Sequence, residues 1–252
     1  VRFKMAQNYK IIVEYDGSNY SGWQIQKNTS QTIQQKLEQT LSKINKNRVQ
    51  ITGAGRTDAG VHAAGQTANF FLDVDIPLAK IPIALNTELP DDIICKKAEK
   101  VDQDFHARYD ARGKKYRYRI LNSNFNSVFV RNFVYNVYKK LDLELMQKAA
   151  NIFEGCHDFA SFCAAGSSVE STVREIYSLD VYTAEDAEIW IDVVGNGFLY
   201  NMIRILAGTL IETGLGKRTL PELEDILQSC DRNNAGFTAP AQGLTLMKVL
   251  YD

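Results

Sequence analysis

Apolar and polar residues along this chain alternate in two rhythms, and each switch between them marks an element. Residues 9–15, Tyr-Lys-Ile-Ile-Val-Glu-Tyr, are β-rich and stop at Asp16-Gly17, a turn signal. Ile33, Leu37, Leu41 and Ile44 then recur at helical spacing behind Ser30 and Thr32, which can cap a helix. The pattern predicts a short strand over 48–52, a glycine-rich loop, and a strand over 66–72. A helical stretch near 78–85 and a strand over 93–98 complete the order β-α-β-β-α-β.

The second half repeats that order. Tyr116, Tyr118 and Ile120 share one face of a strand over 116–121, so Arg117 and Arg119 face the other way. A helix follows with Leu145, Met146, Ala149 and Ile152 on one side, Asp142 near its start and Gly155 just past its end. Strands over 174–182 and 188–194, helices over 198–213 and 221–228, and a strand over 246–251 finish the chain. No repeat is visible at the level of residues. The repeated order predicts an α+β fold of two ferredoxin-like (βαββαβ) halves, 5–105 and 106–252. Their antiparallel sheets are expected to flank a central cleft, a favoured place for a ligand.

Composition narrows the class. The chain is 45% hydrophobic and 23% charged, as soluble globular proteins are. No apolar run approaches the roughly 20 residues of a membrane span, and no signal-peptide pattern opens the sequence, so a cytoplasmic protein is expected. Val1 to Lys4, ahead of Met5, are set aside from the fold reading. Cys95, Cys156, Cys163 and Cys230 are scattered, which argues for a reducing compartment and no structural bridge. Net charge is −1, yet 106–119 holds six basic residues (Arg108, Arg112, Lys114, Lys115, Arg117, Arg119) against Asp110 alone. That window is +5 and the rest of the chain −6, a distribution that suits a polyanion.

The candidate chemistry centres on 53–63, Gly-Ala-Gly-Arg-Thr-Asp-Ala-Gly-Val-His-Ala, where three glycines surround Arg56 and Asp58. A phosphate cradle is excluded. The spacing is neither G-x-G-x-x-G nor Walker, no Lys-Ser/Thr closes it, and the next element reads as a strand. His62, His106 and His157 are too dispersed for a metal site, so no metal and no cofactor is expected. No serine or cysteine has an activating context. In the 198–213 helix, Gly197, Asn201, Arg204 and Gly208 form one small or polar stripe on an otherwise apolar cylinder. An arginine there either faces water or needs a partner, and Asp58 would serve as that partner.

Several blocks together carry a resemblance. The 53–63 loop, Glu14-Tyr15-Asp16-Gly17-Ser18-Asn19-Tyr20-Ser21-Gly22-Trp23-Gln24, Phe105-His106-Ala107-Arg108 with Lys115-Tyr116-Arg117-Tyr118, Asn196-Gly197-Phe198 leading to Met202-Ile203-Arg204, and Gly243-Leu244-Thr245-Leu246 resemble the tRNA pseudouridine synthase A family, in order, from 9 to 251. The Gly-Arg-Thr-Asp-Ala-Gly-Val-His run is the most specific of them. Cys163 departs from the family, which often has arginine there. The resemblance implies conversion of uridine to pseudouridine at tRNA positions 38 to 40 in the anticodon stem-loop, without metal or external electron donor. It makes the cleft an RNA-binding one and the protein a homodimer. It implies Asp58 as catalytic carboxylate, Arg204 as its ion-pair partner, and Tyr116 on the uracil. Arg56 would neighbour the flipped nucleotide, with His62 also among the substrate-binding residues. Arg108, Arg112, Lys114 and Lys115 are then expected on phosphates.

Two other readings compete. A non-catalytic RNA-binding protein shares the ferredoxin-like topology, but the RNA-recognition consensus of such modules is missing. A glycosidase shares the attack at C1′ but normally needs two framed carboxylates, and no second acid is framed like Asp58.

Overall fold

The computed structural model describes residues 6–166 and 169–252; Val1 to Lys4, set aside above, lie outside them. Among the described residues there are ten strands and five α-helices, a mixed α+β chain. By compactness it divides into a first unit that runs to Arg112 and takes in Leu246–Asp252, and a second unit, Gly113–Thr245.

The first unit contains β1 (Gln7–Tyr15), α1 (Ile33–Asn45), β2 (Thr52–Gly53), β3 (His62–Leu72), α2 (Ile81–Glu88) and β4 (Ile93–Lys100). β1 pairs antiparallel with both β3 and β4, and β2 pairs with β3 on its other side. The strand order is therefore β4-β1-β3-β2. Tyr9, Ile11, Val13 and Tyr15 alternate into the core along β1. In α1 the buried stripe is Ile33, Leu37 and Leu41, and Thr32 caps it by accepting the Gln35 N–H. Truncating Leu37 or Leu41 to alanine would cost about 2–5 kcal/mol, since each is fully buried.

The second unit contains β5 (Gly113–Leu121), β6 (Tyr135–Asn136), α3 (Leu143–Ile152), β7 (Gly155–Asp158), β8 (Val173–Thr183), β9 (Glu188–Gly195), α4 (Met202–Gly214) and α5 (Leu220–Ser229). β9 pairs antiparallel with β5 and β8, and β8 with β7. Asp142 caps α3 through the Leu145 N–H, and Thr219 with Glu222 forms a capping box on α5. The last strand, β10 (Leu244–Leu250), straddles the division of the chain, and its residues from Leu246 onward belong to the first unit.

The structure differs from the sequence expectation at several points. No strand runs over 48–51, although Val49 and Ile51 are buried, because α1 takes their donors: Val49 N–H reaches Ser42 Oγ and Ile51 N–H reaches Glu38. β3 starts at His62, four residues ahead of the expected 66, so the glycine loop is only 54–61. α4 starts at Met202, because Asn201 is left-handed (φ 59°) and breaks the helix upstream; Gly197 is outside it. Gly155 caps nothing: with φ 95° it opens β7 instead. The short strands β6 and β7 were not anticipated, and β6 lies parallel to β5, against the expected all-antiparallel pairing.

Candidate active site

Loop 54–61 joins β2 to β3 in the first unit, and its backbone is pinned almost residue by residue. Ala54 N–H donates to Thr67 O (2.8 Å), and the Gln66 amide donates to Gly55 O (2.9 Å). Thr57 O accepts the Trp23 N–H at 3.0 Å, and Thr57 Oγ1 lies 2.8 Å from the Tyr15 hydroxyl. Val61 N–H closes a turn onto Asp58 O (3.1 Å), and Gly60 N–H reaches Tyr20 O (3.3 Å). Burial pushes the Tyr15 hydroxyl far above its ordinary pKa, so it remains a neutral hydrogen-bonding group.

Segment 16–23 is the floor under this loop, and two glycines make the approach close enough. Gly22 has φ 93°, and a Cβ there would sit 2.5 Å from Thr57 O. A Cβ on Gly17 would overlap the Val61 carbonyl. Gly53 lies against the buried Trp23 indole, where a Cβ would be 2.5 Å from the ring. The loop thus presents Asp58 half-exposed and Arg56 exposed from a backbone with little freedom to move.

His62 sits at the end of the loop with 2% of its surface exposed. Its Nδ1 is 3.0 Å from Gly17 N–H and 3.1 Å from Asp16 Oδ1. A bare Nδ1 accepts from Gly17, whereas a protonated one donates to Asp16. Either state ties the 16–17 turn to the start of β3.

In the second unit Tyr116 lies on β5, 7% exposed, with Phe198 edge-on at 5.5 Å. Tyr118 shares the face, fully buried, and its hydroxyl donates to Pro240 O at 2.8 Å. The opposite face of β5 carries an ion-pair ladder. Arg117 holds Asp192 with two hydrogen bonds, 2.6 and 2.8 Å, and its guanidinium lies 3.7 Å from the centroid of the Trp190 ring. Arg119 likewise holds Glu188 at 2.8 and 2.6 Å. Burial raises the Asp192 pKa, but the Arg117 and Lys115 hydrogen bonds outweigh it and leave the carboxyl below its ordinary value. Lys115 stands on this ladder face, 2.8 Å from Asp192, so its charge is partly spent within the sheet. Arg108 and Arg112 are exposed and Lys114 half-buried.

Arg204 and Glu212 are the two α4 residues that are half-buried, the rest being buried. Arg204 Nε donates to Ala239 O (2.7 Å) and an Nη to Asn201 Oδ1 (2.8 Å). Segment 235–240 lies across α4 as a strap: Ala239 N–H returns to Arg204 O (3.0 Å) and Gly236 N–H reaches Thr209 Oγ1 (3.0 Å). A Cβ on Gly208 would overlap the Phe237 carbonyl, so this glycine lets the strap close on the helix. Of the expected stripe, Arg204 and Gly208 meet the strap, and Asn201 holds the Arg204 guanidinium.

Tyr15, Trp23, Gln66 and the 235–240 strap are the supports that sequence reasoning did not single out. Gly17 and Gly22 flanking Tyr20, and Gly236 in a short linker, were the available signals for them. Among the described residues, no group of three or more His, Cys, Asp or Glu side chains is placed to hold a metal ion. Among the same residues, no helix is long and apolar enough to cross a membrane.

The tRNA pseudouridine synthase family model matches residues 11–110 and 149–252. tRNA pseudouridine synthase A of Ruminiclostridium cellulolyticum is 52% identical over 242 residues, 96% of this chain and 98% of that protein. The tRNA pseudouridine synthase A of Acetivibrio thermocellus is 49% identical over 97% of this chain and 100% of its own length. That of Brevibacillus brevis is 46% identical over 96% and 98%. A solved Cbf5-Nop10-Gar1 complex aligns with 94% of this chain and 48% of the matched chain, at 13% identity and a TM-score of 0.36, too loose a likeness to place any element. Nearly full-length identity at this level, with the family match over both units, means that the chain belongs to the tRNA pseudouridine synthase family.

Proposed function

We propose that this protein converts uridine to pseudouridine at positions 38, 39 and 40 of the tRNA anticodon stem-loop, with Asp58 as the catalytic carboxylate. As a member of its family it is an isomerase acting on tRNA uridine. The observation that carries the reading of Asp58 is the loop itself. A half-exposed carboxylate is displayed from a backbone fixed at Ala54, Gly55, Thr57, Asp58 and Gly60, which suits a group that must meet one atom of a substrate.

The reaction rearranges bonds and leaves composition unchanged. The N1–C1′ bond breaks, the uracil turns, C5 bonds to C1′, and the proton lost from C5 is balanced by one gained at N1. Anionic Asp58 starts this either by attacking C1′ or by taking the 2′ proton to give a glycal. The family resemblance assigns Arg204 the role of cation to that carboxylate and Tyr116 the role of packing on the base. Its buried strand position and the edge-on Phe198 leave the Tyr116 ring little freedom, as such a role needs. Flipping a paired uridine costs a few kcal/mol, and exposed Arg56 is suited to brace the gap. Arg108, Arg112, Lys114 and Lys115 are the proposed phosphate contacts, and Lys115 shares its charge with Asp192. His62, buried, supports the substrate-binding loop from within.

The strand order β4-β1-β3-β2 with two intervening helices supports reading the first unit as ferredoxin-like, and the second unit is proposed to be its counterpart. A cytoplasmic homodimer without cofactor completes the proposal, and sedimentation tests the dimer. The decisive experiment is Asp58→Ala on an unmodified tRNA transcript: binding is retained and pseudouridine formation falls below detection. Pseudouridine made by that variant overturns the role of Asp58. A wild-type protein that binds tRNA and never modifies it would be an RNA-binding module.

A further inference from the structure

Segment 105–110 of the first unit is a rigid turn that displays one aromatic ring. Phe105 O accepts from the amides of Asn8 (3.0 Å) and Asn69 (3.2 Å), two buried asparagines bonded to each other. Ala107, fully buried, gives its N–H to Asn69 Oδ1 (2.9 Å) and accepts the Tyr251 hydroxyl (2.7 Å). Asp110 N–H returns to His106 O (3.1 Å), and His106 N–H reaches the Asp110 carboxylate (2.8 Å). The His106 Nδ1 accepts from both Arg108 N–H and Tyr109 N–H, each at 3.2 Å, which fixes the imidazole with its proton on Nε2.

On this fixed imidazole lies Tyr109, ring centroids 4.1 Å apart and planes 26° from parallel. The phenol is nonetheless 76% exposed. Scattered exposed aromatics are ordinary; one stacked on a histidine whose nitrogen is locked by two backbone donors is a built surface. The Arg108 guanidinium is 5.9 Å from its centroid, and exposed Arg112 lies three residues on. A backed π-face beside the Arg108 cation fits a flat ring attached to a phosphate, which describes an unpaired nucleotide. We propose that Tyr109 is a stacking platform for an unpaired base of the RNA substrate, with Arg108 on the adjoining phosphate. The proposal rests on the reading of tRNA as substrate. Stacking alone reads no base edge, so this contact adds affinity and sets the path of the RNA without selecting its sequence.

Tyr109→Ala, Tyr109→Leu and Tyr109→Phe test it through the Kd for an unmodified tRNA transcript and through KM and kcat for pseudouridine formation. The alanine and leucine variants are expected to raise Kd and KM about tenfold with kcat unchanged, and the phenylalanine variant to stay within about twofold. Thermal unfolding controls for the fold and should not move, because the ring is exposed. An alanine variant that binds within twofold of wild type overturns the platform, as does a leucine variant equal to phenylalanine. Failure of the wild type to bind tRNA would instead defeat the substrate reading beneath it.

Discussion

The loop around Asp58 and the side chain of Arg204 are held by different means. Around Asp58 the protein fixes the backbone, through donors and acceptors on Gly55, Thr57 and Gly60. Around Arg204 it fixes the side chain itself, through Ala239 O and Asn201 Oδ1. Both arrangements depend on a glycine under a carbonyl, Gly22 beneath Thr57 and Gly208 beneath Phe237. The difference is one of means: main-chain hydrogen bonds fix the loop that carries Asp58, and side-chain hydrogen bonds fix Arg204.

The largest expected effect breaks the first kind of support. Gly22→Ala adds left-handed strain to an overlap with Thr57 O and should cost about 3 kcal/mol in urea unfolding, with activity down about a hundredfold. Gly208→Ala should cost less, about 2 kcal/mol, because the roughly 1 kcal/mol gained in helix propensity offsets part of the strap's displacement. If Gly208→Ala proves the more damaging to activity, the contrast between fixed backbone and fixed side chain is wrong.

Thr57→Val is next. It keeps the shape, removes the hydroxyl partner of buried Tyr15, and should destabilise by about 1–2 kcal/mol. Thr57→Ser should restore activity, and adding Tyr15→Phe to Thr57→Val should cost little more, since the interaction is already gone. Equal losses in the serine and valine variants would show that the hydroxyl pair does not set the loop.

The smallest effect is a change of slope with pH. Asp192 has a lowered pKa in the folded protein, so its contribution is present above the ordinary carboxylate value near 3.9 and is lost as pH falls through the lowered one. Asp192→Asn should therefore lower Tm at pH 7, and the gap to wild type should narrow below about pH 4. A gap that stays constant down to pH 2 would remove the ladder as a source of stability.

Long periodic elements were readable from the sequence and close approaches were not. The α1 stripe, the Thr32 and Asp142 caps and the shared face of Tyr116 and Tyr118 follow from spacing alone. The two-residue strands β2 and β6 do not, because nothing in so short a run distinguishes pairing from a bend. At the loop, the three glycines announced a framed Asp58, but the frame comes from Tyr15, Trp23 and Gln66, 8 to 43 positions away by chain number. The basic window showed its charge openly. Only the carboxylates of β9 reveal that Arg117 and Arg119 are engaged within the sheet.

The return of Leu246–Asp252 to the first unit has a consequence for how the protein is made. A ribosome adds the whole of Gly113–Thr245 before it delivers the strand and the Tyr251 hydroxyl that anchor Ala107. At ordinary elongation rates that is a wait of about ten seconds. Through that interval the part of β3 that pairs with β10 stays open and segment 105–110 lacks its last tether, so the first half of the chain to emerge is not the first to be finished.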